Sequence, residues 1–196
     1  MYRGNPDALT HLKGRRVAIG IGGGIACYKM ASVVSGLAQA GCDVHVIMTE
    51  AATRFVTPLT FEALAGRPVH RSIWDQVDQS DPQHIRLATA IDTCLVAPCT
   101  MDLLAKMVQG IADDPVSLLI ASIDRRTKPV LVAPSMNEVM WLQPANQRNL
   151  RQAEADGYRM LTPGVGWQAC RANGPGRLPE PDELIEAVAE SLGWRE

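Results

Sequence analysis

The fold of this chain is indicated first by residues 17–26, which read VAIGIGGGIA. The apolar run Val17 to Ile21 predicts a buried strand, and the glycines after it predict a tight turn into a helix over Ile25 to Ala40. Gly41 ends that helix, and a second apolar run, Val44 to Met48, predicts the next strand. A strand, a crossover helix and a second strand of these lengths form the repeating unit of a parallel sheet.

The same alternation continues along the chain. The apolar and helical periods predict further elements at Thr57 to Leu64 (helix), Thr93 to Ala97 (strand), Leu103 to Val108 (helix), Val130 to Ala133 (strand), Pro144 to Asp156 (helix) and Pro181 to Leu192 (helix). We therefore predict an α/β fold, a doubly wound parallel sheet in a Rossmann-like or flavodoxin-like three-layer sandwich. The prediction places a polar tail at residues 1–14 and a single domain at 15–196.

Composition excludes several classes of function. The chain has 196 residues, a net charge of -2 and 46% hydrophobic residues, which is typical of one globular domain. This charge gives no reason to expect nucleic acid as a partner, and no apolar run approaches the roughly 20 residues that cross a membrane. The five cysteines are an odd number without a Cys-x-x-Cys pair, so we expect a reducing cytoplasm and no metal site.

The glycine turn is the first candidate binding feature. Glycines let the backbone approach an anion, and a helix N-terminus supplies free N–H groups. The spacing Gly22, Gly23, Gly24 is not the dinucleotide fingerprint, so the phosphate of a mononucleotide fits better. A tight strand-to-helix turn would equally explain the glycines. Thr49 at the end of the second strand and Phe55 beyond it are further candidates, with helix capping and core packing as the alternatives.

A second candidate site follows the strand at Val130 to Ala133. Residues 133–141 read APSMNEVMW, and the amide of Asn137 can both donate and accept hydrogen bonds, which suits capture of a carboxylate or amide. The apolar run predicts that this strand is parallel and buried, and open α/β sheets bind ligands at the carboxyl ends of such strands. The alternative is a plain strand end followed by a helix that carries core Met and Trp residues.

Three further segments carry candidate chemistry. They are His84 in HIRL, where Ile85 and Leu87 are expected to face inward; residues 97–102, APCTMD; and residues 169–181, ACRANGPGRLPEP. The last lies in a Gly- and Pro-rich stretch, 164–181, with little periodicity, and a loop this long is usually functional or mobile. A lone histidine is more often a surface or capping residue, and an isolated loop cysteine is often incidental.

Taken in order, these motifs resemble those of the flavin-dependent cysteine decarboxylases, from about Arg15 to Ile185. The resemblance implies bound flavin mononucleotide (FMN), a substrate lid at about 164–181, and a homo-oligomer, a trimer or a dodecamer of trimers, with the flavin at subunit interfaces. It assigns cofactor contacts to Gly22, Gly23, Gly24, Thr49, Phe55, Ala97, Pro98, Cys99, Thr100, Asp102, Ser135 and Met136. It assigns substrate contacts to Asn137, Met140, Gly174, Gly176 and Arg177.

The resemblance also implies the reaction. The expected activity is oxidative decarboxylation of a cysteine-containing small molecule, 4′-phospho-N-pantothenoylcysteine, to 4′-phosphopantetheine in coenzyme A biosynthesis. His84 would be the active-site base, Asn137 would hold the carboxylate, and Cys170 would protonate the enethiol product of decarboxylation. The flavin would supply the redox chemistry, and the protein would supply orientation and proton transfer.

Three positions depart from the family pattern. Asp102 stands where Asn is usual, and Arg171 and Leu178 also differ. A carboxylate only accepts hydrogen bonds, so Asp102 at the flavin or the substrate would alter recognition or add an unfavourable charge beside a carboxylate. The alternative is that Asp102 simply caps the following helix. Two alternatives therefore stay open: a peptidyl-cysteine decarboxylase that releases the enethiol, and a non-catalytic flavin-binding regulatory protein. Flavin prenyltransferases are less similar, because they lack the Met-Asn-x-x-Met-Trp pattern.

Overall fold

The computed structural model describes residues 9–74, 83–167, 171 and 173–193. Its strands are β1 (Arg16–Ile21), β2 (Asp43–Met48), β3 (Thr93–Cys99), β4 (Val130–Pro134), β5 (Arg159–Met160), β6 (Gly164–Trp167) and β7 (Asn173–Arg177). Its helices are α1 (Cys27–Gln39), α2 (Glu50–Thr53), α3 (Pro58–Ala65), α4 (Gln83–Ala90), α5 (Met101–Gln109), α6 (Pro115–Ser122), α7 (Glu138–Leu142), α8 (Pro144–Ala155) and α9 (Pro181–Ser191).

The main sheet has five strands in the order β2-β1-β3-β4-β5, and every pair in it is parallel. This is the flavodoxin-like order, in which the chain winds outward in both directions from the boundary between β1 and β3. The predicted fold class, a doubly wound parallel sheet, is confirmed. Open sheets of this kind bind ligands outside the carboxyl ends of the strands at that boundary.

Both faces of the sheet are buried. Val17 and Ile19 of β1 pack into one core, beneath α1, α3 and α9, whereas Ala18 belongs to the second core, beneath α4, α5, α6 and α8. This explains the near-continuous apolar runs, since a strand covered on both faces needs no polar alternation. The first core also reaches into the segment predicted as a polar tail, where Leu12 is fully buried.

A ribbon at residues 164–177 and the orientation of Ile85 differ from the sequence-based prediction. Residues 164–177 were expected to be an irregular loop, but β6 and β7 pair as an antiparallel ribbon. Glycine and proline supply most of β7, so the sequence has no alternation that would indicate a strand. Within α4, Leu87 is buried as expected, but the prediction for Ile85 is wrong, because that side chain is 47% exposed.

Candidate functional site

A cleft of about 1130 Å³ lies at the carboxyl edge of the sheet, beside the boundary between β1 and β3. The residues that immediately follow four parallel strands meet there, because parallel strands end at the same edge. Of the predicted site residues, those lining the cleft are Gly23, Gly24, Thr49, Thr100, Asp102, Ser135, Met136, Asn137, Met140, Gly176 and Arg177. The sequence therefore predicted 11 of the 25 residues that line the cleft.

The glycine turn is shaped by two close approaches. The Gly22 N–H donates to the Pro98 carbonyl at 3.1 Å, and a Cβ at Gly22 would lie 2.5 Å from that oxygen. A Cβ at Gly23 would lie 2.3 Å from the Cβ of Ala51. Gly24 has more space, since its nearest neighbour would be 3.8 Å away. Packing thus explains the first two glycines, and only Gly24 combines free space with a position on the cleft.

The N-terminus of α1 is open at this edge, in the sense that no side chain caps it. Thr49, Thr100 and Asn137 cap α2, α5 and α7, accepting from the backbone N–H groups of Ala52, Leu103 and Met140 at 3.2, 3.2 and 2.9 Å. By contrast, α1 follows Ala26, has no side-chain cap and has no acidic residue in its first turn. The N–H groups of Cys27 and Lys29 already donate to the Gly24 and Ala26 carbonyls at 2.9 and 3.0 Å. An anion in the cleft could therefore use the positive dipole end of α1 and the N–H groups of Ile25 and Ala26, just before the helix.

Thr49 both caps a helix and lies on the cleft. Its hydroxyl accepts the capping bond, lies 3.4 Å from the Ile21 carbonyl and lines the cleft. Phe55, by contrast, is half-exposed and is absent from the residues that line the cleft. The core-packing alternative for Phe55 is therefore wrong.

The segment before α5 contributes through its backbone. Ala97 and Cys99 are fully buried, and the Cys99 carbonyl accepts from the Ser135 N–H at 2.9 Å while the Pro98 carbonyl holds Gly22. The Ala97–Pro98 peptide bond is cis. Burial raises the pKa of the Cys99 thiol well above its usual range. Ala97, Pro98 and Cys99 therefore lie behind the cleft wall and are not among the residues that line the cleft, so their flavin contacts stay a prediction.

Asp102 lies on the cleft with its side chain 77% exposed. The capping alternative for Asp102 is wrong, because the side chain that caps α5 is that of Thr100. Instead, the Asp102 carboxylate lies 3.6 Å from the ammonium of Lys106. Lys106 also lines the cleft, and sequence reasoning missed it, although the four-residue spacing from Asp102 is a recognisable ion-pair signal.

The end of the ribbon closes one side of the cleft. The Met136 N–H donates to the Gly176 carbonyl at 3.0 Å, which joins the predicted substrate segment to β7. Gly174 instead packs on Glu138, whose Cβ would lie 3.0 Å from a Cβ at that glycine. Cys170, the predicted proton donor, lies outside the described residues, whereas Arg171 adopts a left-handed backbone with φ of 64°.

The buried residue Lys29 binds the segment that follows the ribbon. Lys29, only 7% exposed, donates to the Leu178 carbonyl at 3.1 Å and to the Glu180 carboxylate at 3.0 Å. Arg177, on the cleft, donates to the same carboxylate at 2.6 Å. The hydrogen bond from Lys29 is the main cause that lowers the pKa of Glu180. The pair links the exit of the ribbon to α1.

His84 is not brought to this cleft within one chain. It lines a separate small pocket between α4 and α6, with His70, Ile47 and Leu119 among its neighbours. The structure thus brings seven of the twelve predicted cofactor residues together with Asn137 at the cleft and leaves the predicted base in another pocket.

Two other features, a metal centre and a membrane-spanning helix, are considered for the described part of the chain. Within residues 9–74, 83–167, 171 and 173–193, no group of His, Cys, Asp and Glu side chains could hold a metal ion. In the same residues, no helix has the length and apolar character needed to cross a membrane.

Comparisons with known proteins agree with this geometry. The chain is 42% identical over 177 residues to the coenzyme A biosynthesis bifunctional protein CoaBC of Vibrio cholerae, covering 90% of this chain and 44% of that protein. It is 44% identical over 170 residues to CoaBC of Mycolicibacterium smegmatis, covering 87% and 40%. The chain thus spans less than half the length of these curated relatives.

Among solved structures, the FMN-dependent cysteine decarboxylase SpaF superposes with a TM-score of 0.80 at 26% identity, covering 93% of this chain and 99% of that one. These likenesses confirm the resemblance drawn from the motifs. The sequence profile of the Flavoprotein family matches residues 7–193, nearly the whole chain. The chain therefore belongs to the flavoprotein family.

Proposed function

We propose that this chain is an FMN-dependent decarboxylase that converts 4′-phospho-N-pantothenoylcysteine to 4′-phosphopantetheine in coenzyme A biosynthesis. The observation that carries the proposal is the cleft itself, in which the open N-terminus of α1 faces the Asn137 segment across the β1–β3 boundary. One end suits a phosphate, and the other suits the carboxylate that is lost.

The residues of the cleft fit FMN. The uncapped start of α1 at Gly24 to Ala26 would hold its phosphate, with Thr49 and Thr100 beside it. Ser135 and Met136 at the end of β4 would border the ring system. When bound, FMN supplies the two-electron oxidation that makes the cysteine carboxylate labile and returns the electrons at the end.

The chain's own groups would orient the substrate and move protons. The capping bond from Met140 fixes the Asn137 amide at the cleft, where it would bind the substrate carboxylate. His84 would take the proton from the substrate, and Cys170 would deliver a proton to the enethiol carbon after CO₂ has left. Met140, 39% exposed on the cleft, would border the substrate.

The separation of His84 from the cleft supports a homo-oligomer. If the base must reach the substrate, it has to come from a neighbouring subunit, and a cyclic trimer repeats such a head-to-tail contact with closure. Dodecamers built from trimers would contain the same site. We further propose that the protein works in the cytoplasm, where its buried thiols would stay reduced.

The identities favour the small-molecule substrate over a peptide. The relatives named for coenzyme A biosynthesis reach 42% and 44% identity, whereas the SpaF likeness stands at 26%. A peptidyl-cysteine decarboxylase would also have no need for a proton donor such as Cys170. A purely regulatory flavin protein would need neither Cys170 nor His84.

The test is incubation of the purified protein with phosphopantothenoylcysteine and, separately, with a peptide ending in Cys, followed by mass spectrometry. We expect the first substrate to lose CO₂ without net oxidation, and the peptide to remain intact. Release of an oxidised, decarboxylated peptide alone would transfer the assignment to peptide maturation. A protein that binds FMN and turns over neither substrate would support the regulatory alternative.

A further inference from the structure

Three carboxylates and one ammonium form a charge cluster on one wall of the cleft. The Lys106 Nζ lies 2.9 Å from Asp113 Oδ1, 3.3 Å from Asp114 Oδ2 and 3.6 Å from Asp102 Oδ2. All four residues line the cleft. Three negative charges therefore surround a single positive charge beside the space proposed for an anionic cofactor.

Lys106 and Asp113 stabilise the charged forms of each other. The hydrogen bond to Asp113 is the main cause that raises the pKa of Lys106, and the same bond lowers the pKa of Asp113. Among the described residues, Lys106 is the one cation within 4 Å of any of these carboxylates. Removal of Lys106 would leave three carboxylates on the wall with no cation within 4 Å among the described residues.

Lys106 is held between two helices, because it stands on α5 and its ammonium contacts Asp114 at the start of α6. Asp114 caps α6 by accepting from the N–H groups of Val116 and Ser117 at 2.9 and 3.0 Å on Oδ1, which leaves Oδ2 for Lys106. Lys106 itself stands on α5, with its side chain only 22% exposed. The ammonium therefore joins α5 to the start of α6 and holds the intervening turn at the cleft.

We infer that Lys106 is a positioning residue for the cofactor, acting by charge. It offsets the carboxylates of Asp102, Asp113 and Asp114, so that this wall of the cleft tolerates the dianionic phosphate of FMN. The inference rests on the proposed function insofar as FMN must occupy this cleft. The contacts within the cluster are too short for salt to screen them, but the repulsion between the carboxylates and a phosphate acts across the solvent of the cleft, so the effect on FMN should be sensitive to salt.

The test compares FMN with riboflavin, which has the same ring system and no phosphate. Both affinities are measured by fluorescence quenching on the full chain freed of flavin, for the unmodified protein and for Lys106→Met. We expect Lys106→Met to weaken FMN about tenfold at low salt and riboflavin less than about twofold, with the difference shrinking at high salt. A second substitution, Asp113→Asn, should restore part of the FMN affinity.

Two controls separate charge from structure. Lys106→Arg keeps the charge and should keep the preference for FMN, and Lys13→Met removes a lysine from the opposite edge of the sheet and should change neither affinity. Equal weakening of both flavins, insensitive to salt, would overturn the inference and make Lys106 a structural residue. If the unmodified protein binds neither flavin, the proposed function fails together with it.

Discussion

Gly23 and Gly24, in the turn before α1, differ in the space around them. Gly23 is pressed against Ala51, where an added Cβ would lie 2.3 Å away, whereas a Cβ at Gly24 would meet nothing closer than 3.8 Å. The first is a matter of packing between the turn and α2. The second concerns the space that a ligand would occupy.

We therefore predict that Gly23→Ala and Gly24→Ala fail in different ways. Gly23→Ala should lower the free energy of unfolding by about 1–3 kcal/mol, as overpacked sites do. The free energy of unfolding of Gly24→Ala should lie within about 0.5 kcal/mol of that of the unmodified protein. This variant should bind FMN more weakly, because the added methyl group enters the cleft. Urea unfolding and flavin titration measure both quantities. Equal loss of stability in the two variants would contradict this division.

Arg171 is in a backbone conformation that suits glycine. Its φ of 64° lies in the left-handed region, where a Cβ costs about 1–2 kcal/mol. Since glycine also gains freedom in the unfolded chain, we predict a net stabilisation of at most about 1 kcal/mol for Arg171→Gly. The matched variant Arg171→Ala keeps the Cβ and should show no gain. The comparison needs only thermal unfolding, and a gain for Ala equal to that for Gly would assign the effect to the lost side chain.

The catalytic role proposed for His84 can be tested by substitution. His84→Asn should keep bound FMN, because this residue lies away from the cleft of its own chain. It should lose decarboxylation by about 10²–10⁴-fold, the usual value of acid–base help. Flavin absorbance and single-substrate turnover give the two readings. Near-normal turnover would mean that the base lies elsewhere.

Among the elements, the ribbon of β6 and β7 depends on an ion pair that acid should release. The pKa of Glu180 is lowered, chiefly by the hydrogen bond from Lys29. A depressed pKa means that the stabilising contribution is present above the unfolded value of 4.5 and is lost as the pH falls through the folded value. We thus predict that amides in residues 173–180 lose protection from hydrogen exchange at acid pH, when each rate is compared with the intrinsic exchange rate at the same pH. Glu180→Gln should exchange faster already at neutral pH and show less dependence on pH.

The elements also show what a sequence can and cannot predict. Strands β1 to β4 were predicted within one or two residues, because burial on both faces leaves long apolar runs. Helix α6 was missed, although Asp114 and Pro115 form a capping signal that periodicity alone does not use. The ribbon was missed because its pairing depends on backbone hydrogen bonds among glycines, which leave no side-chain pattern.

The same limit applies to the site. Residues that directly follow strands, such as Thr49, Thr100 and Ser135, were predictable, since the topology of a parallel sheet brings strand ends together. The cluster around Lys106 was not, because it depends on where the turn before α6 places Asp113 and Asp114. Nor could a linear motif order show that His84 and Asn137 lie in different pockets of one chain.

Because His84 and Asn137 lie in different pockets of one chain, the proposed assembly can be tested. If each site combines the cleft of one subunit with His84 of its neighbour, a subunit with His84→Asn still offers an intact cleft. A subunit with Asn137→Asp still offers an intact histidine. Each variant alone should be inactive, because every site then carries the same defect.

Mixed oligomers should recover activity. In a random one-to-one assembly, a cleft with Asn137 meets a neighbour with His84 in about one quarter of the sites, since each condition holds for half of the subunits. We therefore predict that co-expression of the two variants gives about a quarter of the unmodified turnover per flavin. Co-expression of two tagged copies of His84→Asn, the matched control, should give none. Oligomers that contain both variants and stay inactive would show that the active site is complete within one chain or needs a different base.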